Sequence, residues 1–186
     1  MNVDLFATAP QGLEDLLAQE LAGLGFENAA PGRGGVELRT DLAGAYRACL
    51  WSRIAGRVLM PIATFEADDA DALYRHALDI DWSAHMRPEG SLAVDFTGVR
   101  PAVEHARYAQ QRAKDAVVDR FRDAHGIRPD VDTKAPDLRI HVHQNRAATT
   151  VSIDLSGESL HKRGYREATV EAPLKEHLAA AMLLRG

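Results

Sequence analysis

The chain has 186 residues, 46% of them apolar and 26% charged, with a net charge of −5. That length and balance describe one large or two small globular domains with real cores, and no apolar run is long enough to span a bilayer. Cys49 is the single cysteine, which excludes an intramolecular disulfide. The first residues, MNVDLFATAPQGLEDLL, lack a basic flank followed by an apolar run, so a secretory leader is not expected and a cytoplasmic location is.

The charge is unevenly spread. Residues 1–99 carry 7 Lys/Arg against 15 Asp/Glu, whereas residues 100–166 carry 13 against 9 and five of the eight histidines. Such asymmetry fits a nucleic-acid-binding part joined to an acidic part. It also fits two ordinary solvated surfaces, and charge alone leaves both open.

Taken in chain order, Val3 to Ala7 reads as a strand. Leu13, Leu16, Leu17, Leu21 and Leu24 then recur at helical spacing, with Gly25 as the stop. The turn Gly32 to Gly35 leads to a strand at Val36–Arg39. Asp41 is placed to cap a helix through Ala45, Cys49 and Leu50. Arg57 to Ala63 is the next strand, and Pro61 within it predicts an edge or a bulge. This alternation predicts a small α+β sandwich.

A second unit starts near Asp68. Asp68, Asp69 and Asp71 precede Ala72-Leu73-Tyr74 and favour a helix N-terminus over a metal site, since no further ligand pattern surrounds them. Ile80-Asp81-Trp82 predicts a short turn burying Trp82. Along Ser91–Phe96, Leu92, Val94 and Phe96 face one way, Ala93 and Asp95 the other. A helix is predicted from about Glu104 to Ala124, ended by Gly126, with Ala109, Ala113, Ala116, Val117, Phe121 and Ala124 as its buried stripe. Leu138–His143 and Val151–Leu155 read as a hairpin around Gln144-Asn145-Arg146. Ser156 to Thr169 is polar like a linker, and a last helix begins near Pro173.

No complete catalytic constellation emerges from these residues. His141 and His143 share a strand face, but no Cys or Glu completes a metal set. Cys49 has no base partner and reads as a structural thiol. The Gly32–Gly35 turn ends in a strand rather than opening a helix, unlike a phosphate-binding loop, and no serine sits in an elbow motif. Basic residues are better ordered. Arg107, Gln111 and Lys114 lie along one line of their helix, with Arg122 farther round. Arg139, His141 and His143 share one strand face, and Lys162, Arg163, Tyr165 and Arg166 cluster in the linker. Cations hold phosphates and an aromatic can stack an unpaired base. The alternative for each patch is a normal charged helix face or a solvated linker.

Eight stretches, in this order, carry a resemblance: LFATAPQGLEDLLAQEL, GGVEL, LWSRIAGRVLMPI, LAVDFTG, RYAQQRAKDAVVDRF, RPDVDTKAPDLRIHVH, VSIDLSGESLHKRGYR and APLKEHLAAAMLLR. They resemble the N-terminal portion of a bacterial large-subunit ribosomal RNA guanine-N2 methyltransferase, one of the THUMP-domain enzymes. The last three stretches are the most specific. The resemblance implies an α+β fold: an N-terminal ferredoxin-like α/β sandwich over residues 1–66, a THUMP α/β domain over 67–157 that binds structured RNA, and a linker over 158–172. Residues 173–186 would be the first helix of a Rossmann-like methyltransferase domain that uses S-adenosylmethionine. The glycine-rich cofactor loop and the Asn/Asp-Pro-Pro-Phe/Tyr motif of that domain are not among these residues. The resemblance therefore implies no catalytic residue and no cofactor in this chain, with S-adenosylmethionine serving the parent enzyme.

Carried over residue by residue, the implied RNA-facing candidates are Arg107, Arg112, Lys114, Arg139, Lys162, Arg163 and Arg166. The WSR match adds Arg53, for which a structural role at a helix end is an equal alternative, and Tyr165 joins them from the linker. Pro173, Lys175 and Glu176 match the segment beside the cofactor site. The implied partners are 23S ribosomal RNA and the methyltransferase domain of the same polypeptide, with no membrane. Two rivals remain. One is another THUMP enzyme, either a transfer RNA methyltransferase or a 4-thiouridine synthetase, the latter disfavoured by the APLKE helix. The other is a ferredoxin-like scaffold module without an RNA role. A continuous positive surface favours RNA; dispersed charge favours the scaffold.

Overall fold

The computed structural model describes residues 2–164, 166–167 and 171–186. They fall into two compact units, Met1–Met60 with Leu155–Gly186, and Pro61–Asp154.

The first unit contains β1 (Val3–Thr8), α1 (Glu14–Gly23), β2 (Ala30–Gly32), β3 (Gly35–Thr40), α2 (Leu42–Trp51) and the start of β4 (Val58–Glu66). Its strand order is β2-β3-β1-β4, with β1 antiparallel to both neighbours. Leu5 and Ala7 of β1, Leu17 and Leu21 of α1, Val36 and Leu38 of β3 and Ala45 and Ala48 of α2 form the core. Small residues let α2 lie close to the sheet: a Cβ at Gly44 would collide with the Thr40 side chain. Asp41 caps α2 as expected, accepting from the Gly44 N–H at 2.8 Å. Gly25, at φ +91°, supplies the left-handed residue that ends α1. Pro61 lies beyond the two β1–β4 pairs, Phe6↔Leu59 and Ala7↔Val58, so its missing N–H removes no bond from them.

The segment that reads as a linker is tied to the first unit at its start. The Leu155 N–H donates to the Val58 carbonyl at 2.9 Å, the Val58 N–H to Ser156 Oγ at 2.7 Å and the Leu160 N–H to the Gly56 carbonyl at 2.9 Å. Leu160 itself joins the first core. After it comes α5 (Glu176–Arg185), with His177 and Ala181 buried. Residues 155–186 thus group with the first unit instead of standing apart from it. Met182 and Leu183 remain 66% and 84% exposed, so the helix keeps an uncovered apolar side.

The second unit contains the rest of β4, α3 (Ala70–Leu78), a 3-10 turn at Trp82–Ala84, β5 (Ser91–Val99), α4 (Ala106–His125), β6 (Asp130–Val131), β7 (Leu138–Asn145) and β8 (Ala148–Asp154). Strand order is β4-β8-β7-β5-β6. β5 runs parallel to β6 and β7, the arrangement that a crossover helix between them permits, and β7–β8 is an antiparallel hairpin. Asp69 caps α3 through the Ala72 N–H at 2.7 Å. Trp82 is buried and donates Nε1–H to the Ala77 carbonyl at 2.8 Å. The α4 stripe is as predicted, with Val118 added, except for Ala124 in the final turn, which is exposed. Ala93, expected on the outer face of β5, is buried as well. Among the described residues no helix is long and apolar enough to cross a membrane.

Candidate nucleic-acid interface

The structure gives most of the sequence-derived cations a partner. On α4, the Arg112 guanidinium meets Asp71 of α3 at 2.8 Å and lies over the Tyr74 ring, 4.3 Å from its centre. Tyr74 in turn donates its hydroxyl to Asp119 at 2.7 Å, which pushes the phenol pKa up. Lys114 pairs with Asp115 at 2.6 Å. Arg139 on β7 joins Asp95 of β5 at 3.1 Å and the Thr133 carbonyl at 3.0 Å, leaving its side chain 13% exposed. The line of cations expected along α4 is thereby interrupted. Of the cations named on this helix, Arg107 alone is exposed with no ion pair or hydrogen bond among the described residues.

The candidates in the first unit are also engaged. Arg53 pairs with Glu20 at 3.0 Å. Lys162 sits 3.8 Å from Glu158. Arg163 donates to three carbonyls at the end of α2: Ser52 at 2.6 Å, Cys49 at 3.0 Å and Leu50 at 3.2 Å. That is a cap on helix carbonyls that would otherwise lack partners. Arg166 meets Glu176 at 3.0 Å and donates to the Leu174 carbonyl at 2.7 Å. Tyr165 lies outside the described residues. Pro173 is exposed and Lys175 is the N-cap of α5. The Glu176 carboxyl is held below its usual range by its own backbone N–H, helped by Arg166.

The paired histidines frame a hydroxyl. Thr97 Oγ1 lies 3.3 Å from His141 Nε2 and 3.1 Å from His143 Nδ1 across the β5–β7 ladder. Burial lowers the His143 pKa. Among the described residues, no group of three or more His, Cys, Asp or Glu side chains is placed to hold a metal. Cys49 is half-buried, with Sγ 3.8 Å from the Leu155 carbonyl.

Two further arginines, absent from the sequence-derived candidates, stand on the loops that follow β5 and join β7 to β8, and the first of these loops leads into α4, on whose first turn Arg107 lies. Arg100 follows β5 and Arg146 forms the β7–β8 turn; both are exposed, both have positive φ (50° and 55°), and neither has an ion pair among the described residues. The backbone stitches the two loops together. The Arg146 N–H donates to the Val99 carbonyl at 3.3 Å and the Ala102 N–H to the Arg146 carbonyl at 3.0 Å. Beneath them, the fully buried Gln144 accepts from the Val103 N–H at 3.0 Å and donates to the Ala67 carbonyl at 2.9 Å and Thr149 Oγ1 at 3.0 Å. The same loop leads into α4, whose N-cap His105 makes no side-chain cap, so the first N–H groups of α4 have no side-chain acceptor there. The carboxylate in the loop itself is Glu104, which is exposed. No periodic signal points to Arg100 or Arg146, because both sit in turns.

A fixed loop pair carrying Arg100 and Arg146, with Arg107 on the first turn of the helix that follows, suits phosphate groups held by charge. The RlmL ferredoxin-like domain family matches residues 4–59 and the THUMP domain family residues 67–154. The chain is therefore a ferredoxin-like domain in series with a THUMP domain. It is 52% identical over 98% of its length to the ribosomal RNA large subunit methyltransferase K/L of Syntrophotalea carbinolica, of which it covers 26%. Against the protein of the same name from Methylococcus capsulatus it is 49% identical over its whole length, covering 25% of that relative. A crystal structure of SMU.472 complexed with SAH superposes with a TM-score of 0.85 at 26% identity, over 100% of this chain and 49% of that one. The chain spans about a quarter of the length of the curated relatives it matches.

Proposed function

We propose that this chain is the RNA-holding portion of an S-adenosylmethionine-dependent methyltransferase that modifies guanine N2 in 23S ribosomal RNA, in the cytoplasm. The names of the relatives support the substrate and reaction class, and the SAH bound to SMU.472 supports the methyl donor. In this reading the transfer chemistry belongs to the portion of the longer relatives that the present residues do not match. The chain itself binds no cofactor; it grips a folded RNA and orients the target base toward the catalytic portion.

The observation that carries the reading is the set of Arg100, Arg107 and Arg146, three exposed cations with no ion pair among the described residues, on two backbone-paired loops and the first turn of the helix that one of them enters. Contacts of this kind hold phosphates without reading sequence. Binding of the chain to a 23S ribosomal RNA fragment, followed by fluorescence anisotropy across a salt series, tests it. Replacing all three arginines by alanine should weaken binding at least tenfold at low salt and lower the log–log salt slope by about 2–3. Unchanged affinity, or an equal loss on replacing the paired Arg112 and Arg139, would refute it. A transfer RNA arm bound more tightly than the ribosomal fragment would move the substrate to the other THUMP enzymes.

A further inference from the structure

Arg100 and Arg146 both sit in the left-handed region of backbone space, at φ 50° and 55°. That region crowds the Cβ of every residue except glycine, so an arginine stays there only where other contacts fix its turn. Glycine would take either turn with less strain, so what an arginine adds in each is its side chain. The contacts that fix the two turns run through one amide. Gln144 is fully buried; its Oε1 accepts from the Val103 N–H at 3.0 Å, in the loop that carries Arg100. Its Nε2 donates to the Ala67 carbonyl at 2.9 Å and to Thr149 Oγ1 at 3.0 Å. Thr149 Oγ1 donates in turn to the carbonyl of Ala147, the residue after Arg146, at 3.1 Å. The Ala67 N–H reaches the same carbonyl at 2.8 Å and closes the ring.

Gln144 uses both amide hydrogens and one side of its carbonyl oxygen in these bonds. It carries no charge and no solvent-facing surface, so it acts on a bound molecule only through the turns it ties together. An apolar side chain of the same length leaves the Val103 N–H without its acceptor and the Ala67 carbonyl without this donor. The tie between the two loops is then lost, and the strained turns relax. Groups that must be ordered on binding lose affinity to that ordering, whereas groups already held in place do not.

We propose that Gln144 is the positioning residue of the phosphate grip, holding the Arg100 and Arg146 turns in their binding conformation before RNA arrives; this rests on the reading that those arginines hold RNA phosphates. The grip is then preformed. The Arg146 and Ala102 N–H groups, which donate the two backbone bonds between the loops, are protected from hydrogen exchange without RNA and gain little when it binds.

Fluorescence anisotropy with the 23S ribosomal RNA fragment, over a salt series and well below the melting temperature of each variant, tests this. Gln144→Met keeps the side-chain length and removes the hydrogen bonds. Thr149→Val opens the ring at one hydroxyl, and Thr149→Ser restores it. Trp82→Phe serves as the control, since it removes a different buried hydrogen bond of the same unit, the one to the Ala77 carbonyl. Gln144→Met should weaken binding about fivefold or more and lower the log–log salt slope by about 1, with no change in charge. Thr149→Val should lose affinity in the same direction, Thr149→Ser should recover it, and Trp82→Phe should bind as the unsubstituted chain does. A folded Gln144→Met variant with unchanged affinity and slope overturns the proposal and leaves the RNA reading standing. An equal loss in Trp82→Phe overturns it in favour of general loosening. Where Gln144→Met does not fold, the Thr149 pair decides, and equal affinities of its two variants overturn the proposal. Protection of the Arg146 and Ala102 amides that appears only with RNA overturns it as well. Failure of the RNA reading shows differently: the variant lacking Arg100, Arg107 and Arg146 then binds as tightly as the unsubstituted chain, and the proposal falls with it.

Discussion

Replacing Arg163 by alanine separates a structural arginine from an RNA-binding one. The substitution removes all three side-chain donors that close the Cys49, Leu50 and Ser52 carbonyls. Charge-assisted hydrogen bonds contribute about 1.5–3 kcal/mol when buried, and Arg163 is exposed, so about 0.5–1 kcal/mol for each is the appropriate scale. Three such bonds give roughly 2 kcal/mol, a fall of about 4–8 °C in melting temperature for a chain of this size. Lysine places a point charge near one carbonyl but cannot span three, so Arg163→Lys should recover less than about half of the loss. Thermal unfolding by circular dichroism reads the effect, with RNA affinity measured on the same samples. A shift below about 1 °C, or an affinity loss matching that of the Arg100, Arg107 and Arg146 variant, would show that the carbonyl clamp is not what Arg163 does.

Glu20→Ala leaves the Ser52 hydroxyl and the Arg53 and Ile54 N–H groups without their acceptor, and should cost about 2–3 kcal/mol by chemical denaturation, with Glu20→Gln milder. Gln144→Leu orphans the Val103 N–H, the Ala67 carbonyl and the Thr149 hydroxyl in a fully buried site; a loss of about 3 kcal/mol or more is expected, together with faster amide exchange at residues 99–103. His161 and His177 meet edge to face at 5.1 Å, and burial, opposed by Glu176 and aided by Lys175, holds the His161 pKa below its usual 6.5; burial and the neighbouring His161 do the same for His177. A lowered folded pKa means that the unfolded form binds protons first, so the stability of this contact is complete above about pH 6.5 and declines as pH falls below it. The protection of α5 amides against hydrogen exchange, after correction for the pH dependence of intrinsic exchange, should fall between pH 7 and pH 5, and His161→Phe should flatten the change.

What the sequence makes legible here is what depends on near neighbours. Asp41 and Asp69 each lie three residues before the N–H they cap, Gly126 directly follows α4, and the α4 stripe repeats with the helix itself. Ala124 fails because periodicity does not say which turn of a helix has a neighbour over a given face. The fate of the cations was not legible for the same reason. Arg112 finds Asp71 across 41 positions, Arg139 finds Asp95 across 44, and Arg163 reaches the Cys49 carbonyl across 114. A line of basic residues on a helix says where charge is, not whether a carboxylate from another element cancels it. Arg100 and Arg146 escaped notice because turns carry no period, yet backbone pairing between two loops brings them side by side.

The return of residues 155–160 to the first unit has a consequence for biosynthesis. The Val58 N–H waits for Ser156, and the Gly56 carbonyl waits for the Leu160 N–H. The ribosome must therefore deliver the whole of Pro61–Asp154 before the amino-terminal fold can finish, an interval of roughly 5–20 s at bacterial elongation rates. During that interval the inserted unit can fold on its own, while the older segment stays unfinished and within reach of chaperones until its last strand of contacts arrives.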